Sequence, residues 1–318
     1  MTIGKTLGPA LLAVALAGCA AVDRGLDDYD RAAAIPVGEA RSAADTTDAI
    51  DPALWVTRDD DTTIYLFGTF HLLPEDYEWR TPTIDSAIAA SDTLVVETII
   101  DRDEPEALGL LMARMGMAQD LPPIVQRVAP AKRPLLRQKI ARSGLPESAF
   151  DLMESWAAGL TLFGLTATQL GLTAEAGVET DLRAAFALQG KAIEQLETNE
   201  QQLTYFDTLS LEAQRDFLES VIVSDEQTKA AFGAMLAAWT RGDTDAIAAT
   251  FNEGMPMGTE IRSAILTRRN RDWADWIAAR LDTPGTVFVA VGAGHLAGGD
   301  SLLLMLEAAG HPVTRLDE

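Results

Sequence analysis

The chain has 318 residues, 47% of them hydrophobic, and a formal net charge of -23 from 25 Lys and Arg against 48 Asp and Glu. This length and composition support a globular protein with a sizeable core. The acidic balance argues against nucleic acid as a partner, because binding to phosphates requires a basic surface.

The first 18 residues have the features of a bacterial lipoprotein signal peptide. Lys5 supplies the positive charge, and the apolar segment Leu7–Leu16 is too short to span a bilayer. Leu16-Ala17-Gly18-Cys19 resembles a lipobox, and Cys19 is the single cysteine of the chain. Lipidation of Cys19 is therefore favoured over an ordinary signal peptide with an incidental cysteine. Ala20 indicates sorting to the outer membrane, with the protein facing the periplasm.

A tether and one large domain are predicted to follow the signal peptide. Residues 19–50 are rich in Ala, Asp and Arg without hydrophobic periodicity, which is typical of a flexible tether. The domain is predicted over residues 51–318. It opens with a hairpin in which Trp55-Val56 and Ile64–Phe67 are the strands.

The first half of the domain contains a strand, a histidine, a helix and a second strand. The apolar strand ends in Gly68-Thr69-Phe70-His71, a helix is predicted over Thr83–Ala90, and the next strand covers Thr93–Glu97. A crossover of this kind gives parallel strands, and ligands collect at the carboxyl ends of such strands. His71 and Glu97 are both expected at these ends.

The middle of the domain, about residues 104–282, is predicted to be a large helical insertion. One strand interrupts it, Lys191–Glu197, which places Glu197 at another carboxyl end. The helices are predicted from apolar residues three and four apart. They cover Glu106–Met117, Pro130–Ser143, Glu147–Gly171, Gly177–Leu188, Gln201–Val223, Glu226–Thr240 and Gly258–Leu281.

The end of the chain repeats the layout of the first half. A buried strand, Thr286–Val291, runs into Gly292-Ala293-Gly294-His295, and helix Ser301–Ala309 and strand Val313–Leu316 follow. The predicted fold class is α/β. Two units are predicted to form one mixed sheet, with the helical insertion between them. Each unit consists of a strand, a Gly-x-x-His turn, a helix and a second strand.

Four side chains are expected to converge at one edge of this sheet: His71, Glu97, Glu197 and His295. Imidazole and carboxylate groups bind divalent transition metals in hydrolytic sites, so the sequence favours a metal hydrolase. A lone histidine is more often structural than a metal ligand, and Gly-x-x-His is a short pattern that arises by chance. The occurrence of this pattern after two apolar strands favours the metal site over a structural role.

Two other sites fit the sequence less well. Gly292-x-Gly294-x-x-Ala297 follows a strand and opens a helix, as a dinucleotide-binding loop does, but only one such unit is present and a histidine occupies its loop. The chain contains no Gly-x-Ser-x-Gly elbow of a serine hydrolase.

Several separated segments together resemble the TraB/GumN family, which is related to the Tiki metalloproteases. They span roughly Asp51 to the end of the chain and occur in the family's order. They are Tyr65–Pro74, Val95-Val96-Glu97, Gly177-Val178-Glu179, Lys191–Thr198, Arg268–Trp273 and Val291–Gly299.

The resemblance implies an α/β fold and a hydrolase site that depends on a divalent metal, either Mn, Co or Zn. The metal-ligand positions of the family fall on His71, Glu97 and His295. Glu179 also matches a family position and could ligate the metal or act as general base, although an acidic residue is ordinary in the first turn of a helix. Arg269 could stabilise an oxyanion, or be a solvated residue within Arg268–Arg271.

These expectations describe a lipid-anchored, metal-dependent hydrolase of the cell envelope that acts on peptide or amide bonds. Its partners would be a peptide or protein substrate and, through Cys19, the membrane. The alternative is a non-catalytic binding or assembly factor for envelope polysaccharide. The sequence leaves the substrate, the oligomeric state and the role of Glu197 open.

Overall fold

The structure is a computed structural model, and it describes residues 50–100, 105–250 and 258–316. Strands and helices alternate at both ends of this part, and helices dominate its middle. The strands are β1 (Leu54–Arg58), β2 (Thr62–Thr69), β3 (Leu73–Pro74), β4 (Thr93–Val96), β5 (Leu172–Thr173), β6 (Ala192–Gln195), β7 (Gly285–Gly292) and β8 (Thr314–Leu316).

Six of the strands form one mixed sheet, in the order β6-β4-β7-β2-β1-β8. The first four are parallel, while β1 and β8 run antiparallel to their neighbours. The α/β class with one mixed sheet is therefore confirmed, as is the hairpin of β1 and β2. Because β6, β4, β7 and β2 are parallel, their carboxyl ends lie along one edge.

The two central strands form the interior of the sheet because they are apolar on both faces. Strand β2 pairs with β7 from Thr62 beside Gly285 to Thr69 beside Gly292. Ile64 and Leu66 pack with α-helical residues on one face, and Phe67 packs with aromatic side chains on the other. This register brings the glycine that ends β7 next to the loop of His71.

The helices cover both faces of the sheet and build a helical lobe beside it. They are α1 (Pro82–Ala90), α2 (Pro105–Gly116), α3 (Arg133–Arg142), α4 (Glu147–Asp151), α5 (Ser155–Gln169), α6 (Val178–Leu188), α7 (Asn199–Asp207), α8 (Leu211–Ser220), α9 (Asp225–Thr240), α10 (Thr244–Ala249), α11 (Thr259–Arg262), α12 (Arg268–Leu281) and α13 (Leu302–Ala308). A π-helical turn, Ser263–Thr267, joins α11 to α12.

The prediction of a continuous helix over Glu147–Gly171 was wrong, because the chain breaks between α4 and α5. Met153 pairs with Met117 in an isolated antiparallel bridge. The amide of Glu154 donates to the carbonyl of Gly116, at 2.8 Å. The backbone here bonds to a distant segment instead of to the preceding turn, and periodicity within one helix cannot indicate this.

The predicted helix Gln201–Val223 is also two helices, α7 and α8. Ser210 caps the second one, since its side chain accepts a hydrogen bond from the amide of Ala213. The carboxylate of Glu260 holds the Ser210 amide at 2.7 Å. A side chain some fifty positions away therefore stabilises the break.

The N-terminal predictions lie outside the described residues, and this includes the signal peptide, Cys19 and almost all of the tether. They stay predictions, as do the domain boundaries. Within the described ranges, no helix is both long enough and apolar enough to cross a membrane.

Candidate functional site

The ends of the four parallel strands carry four of the residues expected at the site. His71 follows β2, Glu97 follows β4, Glu197 follows β6, and His295 lies in a 3₁₀ turn, residues 293–296, after β7. Since these strands are parallel neighbours, the four side chains approach one edge of the sheet.

Three of these side chains surround the backbone of Gly292. A Cβ atom at this glycine would lie 3.2 Å from Glu97 Oε1, 3.4 Å from His71 Nε2 and 3.7 Å from His295 Cδ2. The amide of Gly292 donates to Glu97 Oε1 at 2.6 Å. The glycine is therefore required for close approach of these groups, and the cradle they form would be filled by any larger residue.

Arg269 is buried at the centre of this edge, with 8% of its surface exposed. Its Nη2 atom donates to Glu97 Oε2 at 2.6 Å, and its Nε atom donates to Glu197 at 3.0 Å. Its Nη1 atom contacts the carbonyl oxygen of Ile265 and His295 Nε2, both at 3.2 Å. Every guanidinium nitrogen thus faces an acceptor, and Arg269 is not a solvated surface residue.

The charges of Arg269 and Glu97 stabilise each other. Burial alone raises the pKa of Glu97, but Arg269, His295, His71 and the Gly292 amide outweigh burial and hold that pKa well below its ordinary value. Burial likewise opposes the charge on Arg269, yet Glu97 and Glu197 raise the pKa of Arg269 above its ordinary value. The pair is ionised at neutral pH.

Glu197 belongs to the same buried cluster and does more than end a strand. It accepts hydrogen bonds from Arg269, from Trp273 Nε1 at 3.1 Å and from the Tyr205 hydroxyl at 3.2 Å. Burial raises the pKa of Glu197, and Arg269 limits the rise. Burial and the nearby Glu197 raise the pKa of Tyr205 to about 12, so this hydroxyl keeps its proton.

His295 is buried and neutral. Its Nδ1 atom lies 2.6 Å from Asn270 Oδ1, and its ring centre lies 4.4 Å from that of Trp273. Burial lowers the pKa of His295 to about 3, with Arg269 acting in the same direction and Glu97 opposing them. The ring therefore stays uncharged throughout the neutral range.

His71 lies beside a carboxylate and, unlike His295, is partly exposed to solvent. Its Nδ1 atom lies 2.6 Å from Glu179 Oε1, and 38% of its side-chain surface is exposed. Burial of the ring opposes its charge, but Glu179 and Glu97 together raise the pKa of His71 to about 9. Glu179 lies in the first turn of α6, where the Thr69 hydroxyl also donates to it.

Sequence reasoning missed three polar partners of the cluster: Asn270, Gln202 and Tyr205. Gln202 Nε2 donates to Glu97 Oε2 at 3.2 Å. Gln202 and Tyr205 are three apart on α7, which places them on one face of the helix. The three-residue spacing of Gln202 and Tyr205, shortly after Glu197, is the sequence feature that could have identified these two residues.

The donor atoms around Gly292 match a divalent metal in type but not in arrangement. Two imidazoles and a carboxylate suit a transition metal, and each ring has Nδ1 against an oxygen, as metal-bound histidines commonly do. In the described ranges, however, no three His, Cys, Asp or Glu side chains form a group arranged to hold an ion. Arg269 Nη1 takes the lone pair of His295 Nε2, so a metal would have to displace that contact. The donor types suit a metal, but the side chains would have to move closer together, and Arg269 would have to release His295, before they could hold one.

Comparisons with known proteins give one family and two relatives. The model of the TraB/PrgY/gumN family matches residues 53–315. The chain is similar to "Uncharacterized protein YbaP" of Escherichia coli (strain K12), with 23% identity over 260 residues, which is 80% of this chain and 92% of that protein. The protein of the same name from Shigella flexneri is similar to the same extent. No solved structure matches the chain.

Proposed function

The chain belongs to the TraB/PrgY/gumN family, and from this membership we propose that it is a divalent-metal-dependent hydrolase that acts on peptide or amide bonds in the cell envelope. The observation that carries the proposal is the convergence of His71, Glu97 and His295 on Gly292, where a Cβ atom would lie 3.2 Å from Glu97 Oε1 and 3.4 Å from His71 Nε2. The His295 ring closes the third side of the cradle around Gly292.

His71, Glu97 and His295 would hold the metal. Such an ion, either Mn, Co or Zn, would polarise a substrate carbonyl and promote ionisation of water. Arg269 helps to keep Glu97 ionised, and a carboxylate must be ionised to bind a cation. Because 38% of the His71 side chain is exposed, against 6% of His295, substrate would reach the site from the His71 side.

Glu179 and Arg269 would assist the reaction from two sides. Glu179 lies against His71 with 18% of its side chain exposed, and as general base it would accept a proton there. Arg269 would first orient Glu97. It would bind an oxyanion only after releasing one of its present acceptors. Of its contacts with Glu97, Glu197 and His295, the one with His295 is the longest.

A chelation experiment tests the proposal. Purified protein is incubated with a broad peptide panel, then with a chelator, and then with Mn, Co or Zn restored. We expect cleavage that stops on chelation, returns with metal, and is lost in His71→Ala and His295→Ala. His311→Ala is the matched control because this third histidine lies outside the site. Cleavage that survives chelation would contradict the proposal.

One observation favours the second candidate, a non-catalytic binding or assembly factor for envelope polysaccharide. Arg269 already contacts Glu97 and His295, so the cluster is neutralised from within. This candidate predicts that the protein binds envelope polysaccharide and leaves the whole peptide panel uncleaved, with or without metal.

We also propose that Cys19 is lipidated and that the protein is anchored in the outer membrane, facing the periplasm. The support is the lipobox-like segment before the single cysteine. Cells fed labelled palmitate should label the wild-type protein but not Cys19→Ser. Equal labelling of the two proteins would contradict the anchor.

We propose that the two repeated units, each a strand, a Gly-x-x-His turn, a helix and a second strand, form the framework of the site. The support is that β2, α1 and β4 carry His71 and Glu97, while β7, α13 and β8 follow the same order around His295. Each unit would contribute one histidine to the metal.

A further inference from the structure

Asn270 lies directly behind the ring of His295. It is 1% exposed and follows Arg269 in α12. Its Nδ2 atom donates to the carbonyl oxygen of Asp300 at 2.8 Å and to that of His295 at 3.3 Å. Since carbonyl oxygens only accept hydrogen bonds, Nδ2 must face them, and Oδ1 must face the ring. The orientation of the amide is therefore fixed.

This orientation determines the tautomer of His295. Oδ1 can only accept, so the Nδ1 atom 2.6 Å away must carry the proton and Nε2 must carry the lone pair. Arg269 Nη1 donates to that lone pair from 3.2 Å. Both neighbours favour the same tautomer, since Arg269 can only donate to Nε2 and Asn270 Oδ1 can only accept from Nδ1.

We propose that Asn270 is a positioning residue that holds His295 in the Nδ1-protonated form and turns Nε2 toward Glu97. This inference rests on the proposed function in one respect, because the lone pair of Nε2 is what a metal would use once Arg269 Nη1 releases it. His295 Nε2 lies 3.7 Å from Glu97 Oε1. At the other loop, Glu179 Oε1 lies 2.6 Å from Nδ1 of His71.

Nitrogen NMR of the imidazole rings tests the proposal on metal-free protein. The chain has three histidines, so the spectrum is simple and His295→Gln assigns its signal. The variants are Asn270→Ala, which removes all three hydrogen bonds, and Asn270→Asp, which keeps an acceptor at Nδ1 but loses both donors to the backbone. Thr267→Val is the control, since it removes a 2.8 Å hydrogen bond to Asp300 in the same loop without touching the ring.

We expect a proton on Nδ1 of His295 in wild type, Thr267→Val and Asn270→Asp. In Asn270→Ala, where only Arg269 still favours that tautomer, we expect a smaller fraction of it and a shifted signal. A role limited to tying the loop predicts instead that Asn270→Asp resembles Asn270→Ala. That result, or a His295 signal unchanged in Asn270→Ala, would overturn the proposal. If Asn270→Ala does not fold, Asn270→Asp alone decides between the two roles.

Metal titration gives a second measurement. The apparent affinity for Mn, Co or Zn should fall about 10–100-fold in Asn270→Ala and far less in Thr267→Val, as expected when a partner of a metal-bound histidine is removed. Equal losses in the two variants would overturn the positioning role. Wild-type protein that binds none of these ions while His295 keeps its Nδ1 proton would refute the proposed function and still support Asn270 as the residue that sets the tautomer.

Discussion

The two Gly-x-x-His loops share one sequence pattern but have opposite surroundings. His71 faces a carboxylate and solvent, and its pKa rises to about 9. His295 is enclosed by Trp273, Asn270 and Arg269, and its pKa falls to about 3. The strand and glycine determine where each ring lies, whereas residues from distant helices determine its charge.

The different surroundings indicate that the two loops have different roles in the site. The first loop is the open side of the site, where a ring and Glu179 meet solvent. The second loop is the enclosed side, where a buried Arg269 supports two carboxylates and a neutral ring. Substitutions on each side of the site can separate these two roles.

The largest effect is expected for Arg269→Ala, on the enclosed side. The change leaves Glu97 and Glu197 buried without their counterion, which destabilises a protein by about 3–5 kcal/mol. Urea unfolding measures the loss. Arg268→Ala is the control, because this neighbour is exposed and should change the free energy of unfolding by less than about 0.5 kcal/mol. Similar losses in the two variants would contradict a central role for Arg269.

The next effect concerns the glycine behind the first loop. A Cβ atom at Gly177 would overlap the carbonyl oxygen of His71, whereas a Cβ atom at Gly68 would lie 3.0 Å from Ala293 Cα in the second loop. Gly177→Ala should cost about 3 kcal/mol and displace His71, and Gly68→Ala should cost less. Thermal unfolding checks the order. Gly233→Ala is the control, since nothing lies near its Cβ position and an alanine favours the helix.

The pH dependence of stability should separate the two histidines in metal-free protein. The folded pKa of His71, about 9, lies above the ordinary value of 6.5, so its contribution is complete below pH 6.5 and is lost as the pH rises through about 9. Solvent screens part of this contribution, because the His71 side chain is more than a third exposed.

His295 has the opposite effect. Its folded pKa is about 3, so the unfolded chain takes up the proton first, and stability falls as the pH decreases from 6.5 toward 3.

Urea unfolding of His71→Gln and His295→Gln across the pH range tests these opposite signs. Relative to wild type, His71→Gln should flatten the alkaline loss, and His295→Gln should reduce the acid loss. The assignment fails if the two substitutions change the same side of the profile.

The smallest effect is expected for Thr267→Val, which removes the hydrogen bond from Thr267 to Asp300 beside the second loop. It should lower the free energy of unfolding by about 1 kcal/mol. The His71 signal in the NMR spectrum should not move. A shift of that signal would show that the two loops are coupled through Asp300.

The sequence predicted the six strands of the main sheet because apolar runs and glycines are local features, but it did not predict the short strands β3 and β5. It did not predict that β7 lies between β2 and β4, since that pairing joins segments more than 190 residues apart. It also missed Asn270, because a polar residue beside two arginines resembles a solvated helix face. Only the fold of α12 against the sheet shows that Arg269 and Asn270 point inward.

The most direct test of the central claim, that His71, Glu97 and His295 form one divalent-metal site, is metal occupancy of purified protein. Calorimetric titration with Mn, Co and Zn would compare wild type with His71→Ala and His295→Ala, with His311→Ala as the control. We predict that one ion binds per chain, that each site variant loses tight binding, and that the control keeps it. Unchanged occupancy in both His71→Ala and His295→Ala would contradict the shared site.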